Sequence, residues 1–539
     1  MKVLGYHFQD DICVCSDGSF AKDDYLQFLL TPKDDCLRVC YNLDWFVARL
    51  CYQLQITEAQ LKKFWTSGIL YPPGTGTNLF FVPHRYLNIK FGKHFGEASY
   101  TDVFQYQGDL PFEIDPLDAA KKAQEIGQRV YDVLTRLDLH PSTLSSPIAA
   151  YQKEIVSTLD LPKPVDIPTE AQFYAHKCLH GGFQEIYQRG HFDKEQPNGQ
   201  RGVFDFDLNS AFSFHTSRLI DTRFGTWFKS DKFYSPSKMP YGFCKGTVSI
   251  HKDFNSAVYT HDGFDYTPIG ERSDYMTNAH VKALYDYDMG KFLLESAWYW
   301  KPDGDLVYPL KEHMERLYEW KQYLKGFDRE VVKRILVGLT GKLGETFTEY
   351  VDGKPETKEG KLYNLPWYAW VQDATKIQVA GFVISNHAED NLLSIAVDGC
   401  MFDREIPIKE SNEMGDWRLN MVAPAFVVSS GVGCIKGKDG KGAFALTYDW
   451  LKAQIEANPD ATEYTMTKLT PVTIGNALKN HKVDHLGELE MSERAVVLNE
   501  VKRMYPEYPR KGSDLLKQYK SEPMDMSVLQ AGDYTPKDE

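Results

Sequence analysis

The segment Val203-Phe204-Asp205-Phe206-Asp207-Leu208 alternates apolar and acidic side chains. A period of two marks a strand with one face in a core, so Phe204, Phe206 and Leu208 pack inward and both aspartates project from the other face into a cleft. A carboxylate next to so much apolar surface is costly unless it is paired or bound to a metal. A second acid sits in a comparable place: Leu392, Leu393, Ile395 and Val397 before Asp398, and Met401-Phe402 after it, describe a buried hairpin with the acid at its turn. Brought together, Asp207 and Asp398 have the chemistry to hold two divalent ions roughly 3.5–4 Å apart, one activating an attacking oxygen and one steadying a leaving pyrophosphate. Taken singly, each has a plainer reading, with Asp207 capping the helix that follows and Asp398 only shaping a turn.

Between the two acids, Lys333-Arg334-Ile335-Leu336-Val337-Gly338-Leu339-Thr340-Gly341 reads as a helix. Val332, Leu336, Leu339 and Leu343 form its packing stripe, while Lys333, Val337, Thr340 and Gly341 make a face that is cationic at one end and small beyond it. Such a face can accept a nucleobase while the ammonium meets phosphate as a point charge. The alternative is a solvated lysine on an ordinary amphipathic helix. Upstream, Leu310, Met314, Leu317 and Leu324 recur at helical spacing, and Lys321 lies on the same stripe, twelve residues before Lys333. If the two helices are antiparallel neighbours, both cations converge on one triphosphate.

A chain of 539 residues is too long for one core, and the proline-rich stretch Leu161–Pro168 reads as an extended connector. It divides the sequence into residues 1–167 and 168–539. Within the second part, residues 219–303 have the look of a mixed insertion with a helical run from Ala279 to Leu294. Asp352-Gly353 marks a tight hairpin tip, and a long helix is expected from about Ala374 to Asp390. The nine cysteines lack paired Cys-x2-Cys spacing, which argues against a zinc site or a disulfide framework; Cys36, Cys40 and Cys51 fall at roughly helical spacing, as buried core thiols would. With neither a signal-like start nor a membrane-length apolar run, a soluble cytoplasmic protein is expected. The net charge of -14 weakens the expectation of nucleic-acid binding without excluding it, since a phosphate-tracking groove needs only local positive potential.

The order and spacing of these segments resemble the family B DNA polymerases, in particular their protein-primed branch, from about Met1 to Arg503. Asp207-Leu208-Asn209-Ser210-Ala211-Phe212-Ser213 is similar to the first palm motif, D-x-x-S-L-Y-P; Lys333 through Gly341 to the fingers motif, K-x-x-x-N-S-x-Y-G; and Ser394 through Gly399 to the second palm motif, Y-x-D-T-D-S. The resemblance implies that Asp207 and Asp398 are catalytic and hold two magnesium ions, with manganese as an alternative. It also implies that Lys333, Lys321, Ser210, Phe212 and Thr340 bind the incoming dNTP, with Phe212 under the sugar. Leu179-His180-Gly181-Gly182 is similar to the branch's Y-x-G-G motif, and Gly181 and Gly182 are expected to let backbone approach template phosphates. The regions around Thr473–Lys479 and Leu498–Arg503 resemble the thumb, which implies DNA contacts from Lys479, Lys502 and Arg503, with Lys482, Arg510 and Lys511 nearby. The departures are Ala396 for the first aspartate of the second palm motif, Val337 and Thr340 for the fingers asparagine and tyrosine, and Ala211 and Ser213 in the first motif.

The first 160 residues resemble the family's 3′–5′ exonuclease domain in position and outline, with Tyr41–Phe46 and Thr101–Tyr106 as partial motif matches. No D-x-E occurs in the first strand, Phe46 replaces an aspartate, and the segment near Tyr131 lacks its acid, so the clustered carboxylates of a two-metal nuclease are missing. The expected fold is therefore α+β: an RNase H-like exonuclease-type domain without proofreading (1–167), then a palm-fingers-thumb polymerase domain (168–539). Within the latter, the palm carries the insertion at 219–303, the fingers span about 308–345, the palm resumes over 365–440 and the thumb covers 441–525. The implied activity is template-directed addition of dNTPs by a monomer, with primer-template DNA and a possible terminal-protein primer as partners. Two rivals remain open: a decayed polymerase-fold protein that only binds DNA in replication, and a metal nuclease acting through the N-terminal part.

Overall fold

In the computed structural model, residues 2–9, 12–22, 36–40, 57–67, 86–88, 115–139, 147–351, 354–409, 411–429, 432–438, 446–472, 474–485, 489–498, 502–505 and 510–531 are described. They fall into two compact units that are not consecutive along the chain. Unit 1 takes residues 1–160, 315–362 and 468–492, and unit 2 takes 161–314, 363–467 and 493–539.

Unit 1 is built on a five-stranded sheet in the order β3-β2-β1-β4-β5, from β1 (Lys2–Gln9), β2 (Ile12–Cys15), β3 (Phe20–Lys22), β4 (Cys36–Cys40) and β5 (Tyr86–Asn88). The first three form an antiparallel meander, and β4 and β5 extend it in parallel. Cys36 and Cys40 are thus strand residues rather than helical ones, because Cys36-Leu37-Arg38-Val39-Cys40 pairs residue by residue with Lys2–Tyr6. The helix Pro116–Arg136 lies against β1. Asp115 caps it by accepting from the amides of Leu117 and Asp118 at 2.9 and 3.0 Å, and Gly5 lets the helix backbone approach where a methyl group would meet the Ala120 carbonyl at 1.8 Å. The helix Gly326–Lys342 packs on Pro147–Thr158, with Gly338 against Ile148. Its expected stripe of Val332, Leu336, Leu339 and Leu343 is buried. The hairpin β15 (Thr346–Val351) and β16 (Lys354–Glu359) closes with Val351 opposite Lys354, as the Asp-Gly signal anticipates, although the two turn residues lie outside the described residues.

Unit 2 is organised by a five-stranded sheet in the order β19-β8-β18-β17-β6: β6 (Gln184–Ile186), β8 (Val203–Leu208), β17 (Leu392–Ala396), β18 (Gly399–Phe402) and β19 (Trp417–Ala423). Phe204, Phe206 and Leu208 point into a core shared with Val379, Phe382, Ile395 and Phe402, each large side chain contributing about 1.5–3 kcal/mol by leaving water. The helix covering this face runs from Leu365 to Ser385, starting earlier and ending sooner than its apolar pattern indicates. Its start is set by Asn364, whose carboxamide accepts from the Trp367 amide at 3.1 Å, with Pro366 in the first turn. Phe382 stacks on Trp417 of β19 at 3.9 Å between ring centroids.

A second sheet runs β21 (Val432–Ile435), β20 (Ala425–Ser429), β7 (Gln188–Phe192) and the strand Gln518–Lys520. The third, ordered β13-β10-β14-β9, comes from the expected insertion: β9 (Gly225–Ser230), β10 (Tyr241–Ile250), β13 (Gly270–Thr277) and β14 (Gly290–Pro302), with the small hairpin β11 (Tyr259–His261) and β12 (Phe264–Tyr266) inserted before β13. The helix there ends at Asp286 instead of Leu294, because Gly290–Leu294 pairs with β10 and continues as strand.

Candidate active site

Asp207 lies at the C-terminal end of β8 and is flanked on both sides by antiparallel neighbours, Gly399 of β18 and Arg418 of β19. The chain then turns sharply. Leu208 N–H donates to the Asp398 carbonyl at 3.0 Å, Asn209 N–H to the Asp416 carbonyl at 2.9 Å, and the Asn209 carboxamide to the Ser411 carbonyl at 3.2 Å. Ser210 follows in the left-handed region (φ 53°, ψ 49°), which starts the helix Ala211–Ser217. The helix N-cap is Ser210, so Asp207 is not a cap, and its carboxylate is available to the sheet face.

Asp398 occupies the second position of a two-residue turn between β17 and β18, closed by the pair Ala396 and Gly399. Val397 occupies the first position with φ 65°. Asp398 N–H donates to the Ala396 carbonyl at 2.9 Å, so Val397 is the centre of a three-residue turn with the positive φ of the rare, strained γ-turn. A β-branched side chain in this conformation is strained by about 1–3 kcal/mol. The strain is held in place by the preceding loop: Val397 N–H donates to the Phe183 carbonyl at 2.8 Å, and a methyl group on Gly182 would meet Val397 Cγ2 at 3.1 Å. The glycines of the 179–183 loop therefore have an internal reason. A methyl group on Gly181 would overlap Asp265 Oδ2 at 1.6 Å, and the Gly181 amide donates to Asp265 Oδ1 at 3.3 Å.

The register divides the Asp207 carboxylate between its two neighbours. Oδ1 sits over Gly399 of β18, 3.6 Å from where a methyl group on that residue would lie. Oδ2 accepts from Arg418 Nη2 at 3.0 Å on the other side. Asp205, two residues earlier on the same face, is paired with Lys438 and accepts from the Asn420 carboxamide at 3.3 Å. Asn420 reaches it because β19 is bulged between Leu419 and Met421. Under the sheet, burial and then the negative field of Asp205, Asp398 and Asp207 push the Cys400 thiol well above its ordinary range, so all three carboxylates act on one point. Sequence reading missed Arg418, Asn420 and Lys438; no local motif marks them, and strand register, a bulge and the turn after β21 respectively bring them to the acids.

Among the described residues, no group of three or more His, Cys, Asp and Glu side chains is placed to hold a metal ion. Asp207 on β8 and Asp398 in the adjoining turn offer the donor chemistry of magnesium, which binds one or two protein carboxylates and completes its octahedron with water and phosphate oxygens.

The other sequence-indicated residues are distributed as follows. Lys333 and Lys321 belong to unit 1. Lys333 is exposed, 3.5 Å from Glu330, whereas Lys321 is 7% exposed with its ammonium 5.1 Å over the Tyr318 ring. Thr340 is 3% exposed, which corrects its expected place on the open face: it is buried alongside the packing stripe, while Val337 and Gly341 stay exposed. Phe212 is half-buried on the Ala211–Ser217 helix. Arg503 is corrected as well. At 2% exposed, with Nε on Ser521 Oγ at 2.7 Å and its guanidinium 4.5 Å over Tyr187, it belongs to the interior of unit 2 and not to a duplex-facing surface. Lys502 Nζ lies 3.4 Å from the Gln184 carbonyl, Lys511 pairs with Asp460 at 2.7 Å, and Lys482 with Glu490 at 3.0 Å; Lys479 and Arg510 are exposed. Asp44, Asp102 and the segments 41–46 and 101–106 lie outside the described residues.

No protein-family model and no curated protein sequence matches the chain. Solved structures do. The chain shares its fold with Phi29 DNA polymerase. An orthorhombic crystal form of that enzyme superposes with a TM-score of 0.61 at 12% identity over 92% of this chain and 100% of that one. Its ternary complex with primer-template DNA and incoming nucleotide gives 0.61 at 11% identity over 92% and 99%, and its complex with single-stranded DNA gives 0.59 at 10% over 92% and 100%. At this identity the likeness establishes the mixed α/β fold across nearly the whole chain. No helix among the described residues is long and apolar enough to cross a membrane.

Proposed function

We propose that this chain is a DNA-directed DNA polymerase of the protein-primed type, adding dNTPs to a 3′-OH or to the hydroxyl of a terminal protein, without 3′–5′ proofreading. The observation that carries the reading is the pairing of Asp207 with Gly399, which sets Asp207 one residue from Asp398 in a chain with the fold of Phi29 DNA polymerase. In this reading Asp207 and Asp398 hold magnesium, which when bound lowers the barrier by activating the attacking oxygen and stabilising the pyrophosphate leaving group. The chain's own contribution is positional. The Leu208 amide and the Asp398 carbonyl lock the two acid-bearing turns together, and the strained Val397 turn fixes where Asp398 projects. Ser210 and Phe212, on the turn immediately after Asp207, are proposed to contact the nucleotide; Lys333 and Lys321 are proposed as triphosphate cations from their sequence pattern. Lys479, Lys502, Gly181 and Gly182 remain proposed DNA contacts, and the 3-2-1-4-5 sheet of unit 1 supports an RNase H-like origin for that part.

The Arg418–Asp207 ion pair also favours a second reading, a protein that kept the fold and DNA binding while its acid site became a salt bridge. Magnesium-dependent primer extension by the wild type, Asp207→Asn and Asp398→Ala separates the two. Extension by the wild type alone supports the polymerase; no extension by any of them, with primer-template binding retained, supports the second reading.

A further inference from the structure

Arg418 is placed on Asp207 by the register of two central strands, directly opposite it across β8 and β19. It is attached by one bond, Nη2 to Oδ2 at 3.0 Å, and the pair is partly exposed, at 42% for the arginine and 27% for the aspartate side chain. The rest of the guanidinium is poorly served. Its Nε is buried without a hydrogen-bond partner among the described residues, although an arginine fork is best satisfied by two parallel bonds to a carboxylate. The other acid of that face is neutralised by different means, Lys438 and Asn420, so Arg418 is dedicated to Asp207. The other oxygen of Asp207, Oδ1, faces Gly399 of β18, the residue after Asp398.

We infer that Arg418 is a tethered counter-cation that competes with a divalent metal for Asp207, so that the strength of the Arg418 pair sets the metal affinity of the acid site. The inference rests on the polymerase reading insofar as Asp207 is a metal ligand. Three features make the arginine displaceable: a single bond, partial solvent access and an unmatched Nε. When an ion takes Oδ2, the guanidinium swings outward without leaving β19 and places a positive charge beside the acids. Arg418 is thus a positioning residue, acting on the metal through Asp207.

The test is Mn2+ binding to the full chain without DNA, followed by electron paramagnetic resonance of the free ion at low ionic strength. Removing the competitor in Arg418→Met is expected to tighten binding roughly two- to fivefold, the range set by a partly exposed ion pair. Arg418→Lys should fall between, because a compact, strongly hydrated ammonium competes less well for a carboxylate. Added salt should narrow the difference by screening the pair. Asp207→Asn should weaken binding and erase the effect of Arg418→Met in the double variant. Thermal melts establish that each variant is folded, and Arg418→Lys decides the question if Arg418→Met is not. Equal or weaker binding by the Arg418 variants, with Asp207→Asn still weakening it, overturns the inference and leaves the polymerase reading intact. Absence of binding by the wild type overturns both the inference and Asp207 as a metal ligand.

Discussion

The loop that braces Asp398 is itself tied down by buried charge, and Lys376 is the place to test that. Lys376 and Asp373, one turn apart on the Leu365–Ser385 helix, are 2% and 3% exposed with 3.6 Å between Nζ and Oδ1. Asp373 also faces His280 Nδ1 at 3.4 Å, whose other nitrogen meets Ser256 Oγ at 3.1 Å. Lys376 Nζ lies 3.4 Å from the carbonyl of His180, and His180 reaches Asp274, which is also bound by Arg272 Nε at 2.9 Å. Burial raises the Asp373 carboxyl, and His280 and Lys376 more than offset it, holding the acid well below its usual range. Lys376→Met removes one partner of a buried pair, which costs about 3–5 kcal/mol. With His280 still in place and the lysine's contacts long, the expected loss is near about 3 kcal/mol, or roughly 6 °C in the melting of unit 2 at about 2 °C per kcal/mol. The double variant Asp373→Leu/Lys376→Met removes both charges and should recover more than half of it, since an apolar pair of similar volume often replaces a buried ion pair without loss. Calorimetric melting of the three proteins checks this. A single variant within about 1 kcal/mol of wild type, or a double variant at least as unstable as the single, would refute the argument that a paired charge holds the 179–183 loop.

Val397→Gly should relieve the strain at the Asp398 turn and raise stability by about 0.5–1 kcal/mol net of the added glycine entropy, while lowering primer-extension turnover because Asp398 loses its fixed direction; denaturant unfolding and steady-state kinetics read the two effects separately. His215, buried and bonded to Gln378 at 2.9 Å, has its imidazole pushed down to about 4 by burial. The unfolded chain therefore binds the extra proton first, and stability that is complete above about pH 6.5 is lost as the pH falls toward 4, by about 3 kcal/mol in all; the fall in melting temperature between pH 7 and 5 should be smaller in His215→Gln. Gly190→Ala should cost about 3 kcal/mol or more by chemical denaturation, because φ is 124° and the new methyl group would meet the Lys517 carbonyl at 1.9 Å, backbone that cannot retreat.

What is legible in the sequence is whatever is encoded within one element. The alternation of Val203–Leu208 separates the core-facing Phe204, Phe206 and Leu208 from the two aspartates, although the structure leaves only Asp207 partly open and buries Asp205; the stripe of the Gly326–Lys342 helix and the Asp-Gly hairpin are equally local. Where a pattern allows two structures, partners decide. Cys36 and Cys40 have helical spacing, yet five parallel pairings with β1 make them strand; Gly290–Leu294 continues an apolar helical pattern, yet β10 recruits it. Charges inside apolar elements are the least legible. Nothing in the local pattern marks Lys321 or Arg503 for burial, yet both have apolar stems and a nearby aromatic ring that let the structure bury them.

The same distinction explains the candidate site. Asp207 and Asp398 stand out because each is an acid in a strongly apolar local setting, and that setting is written in the neighbouring residues. Their chemical partners do not, because Arg418 reaches Asp207 by strand register, Asn420 reaches Asp205 by a bulge and Lys438 reaches it from the turn after β21, and none has a signature of its own in the chain. A local signal thus identifies the groups that need compensation, while the groups that supply it are fixed by topology. On the proposed reading that asymmetry has a functional consequence: whether the acids would bind metal or stay salt-bridged depends on residues the motifs do not include. On that reading, the affinity of Asp207 for a divalent ion is set by β19 as much as by β8.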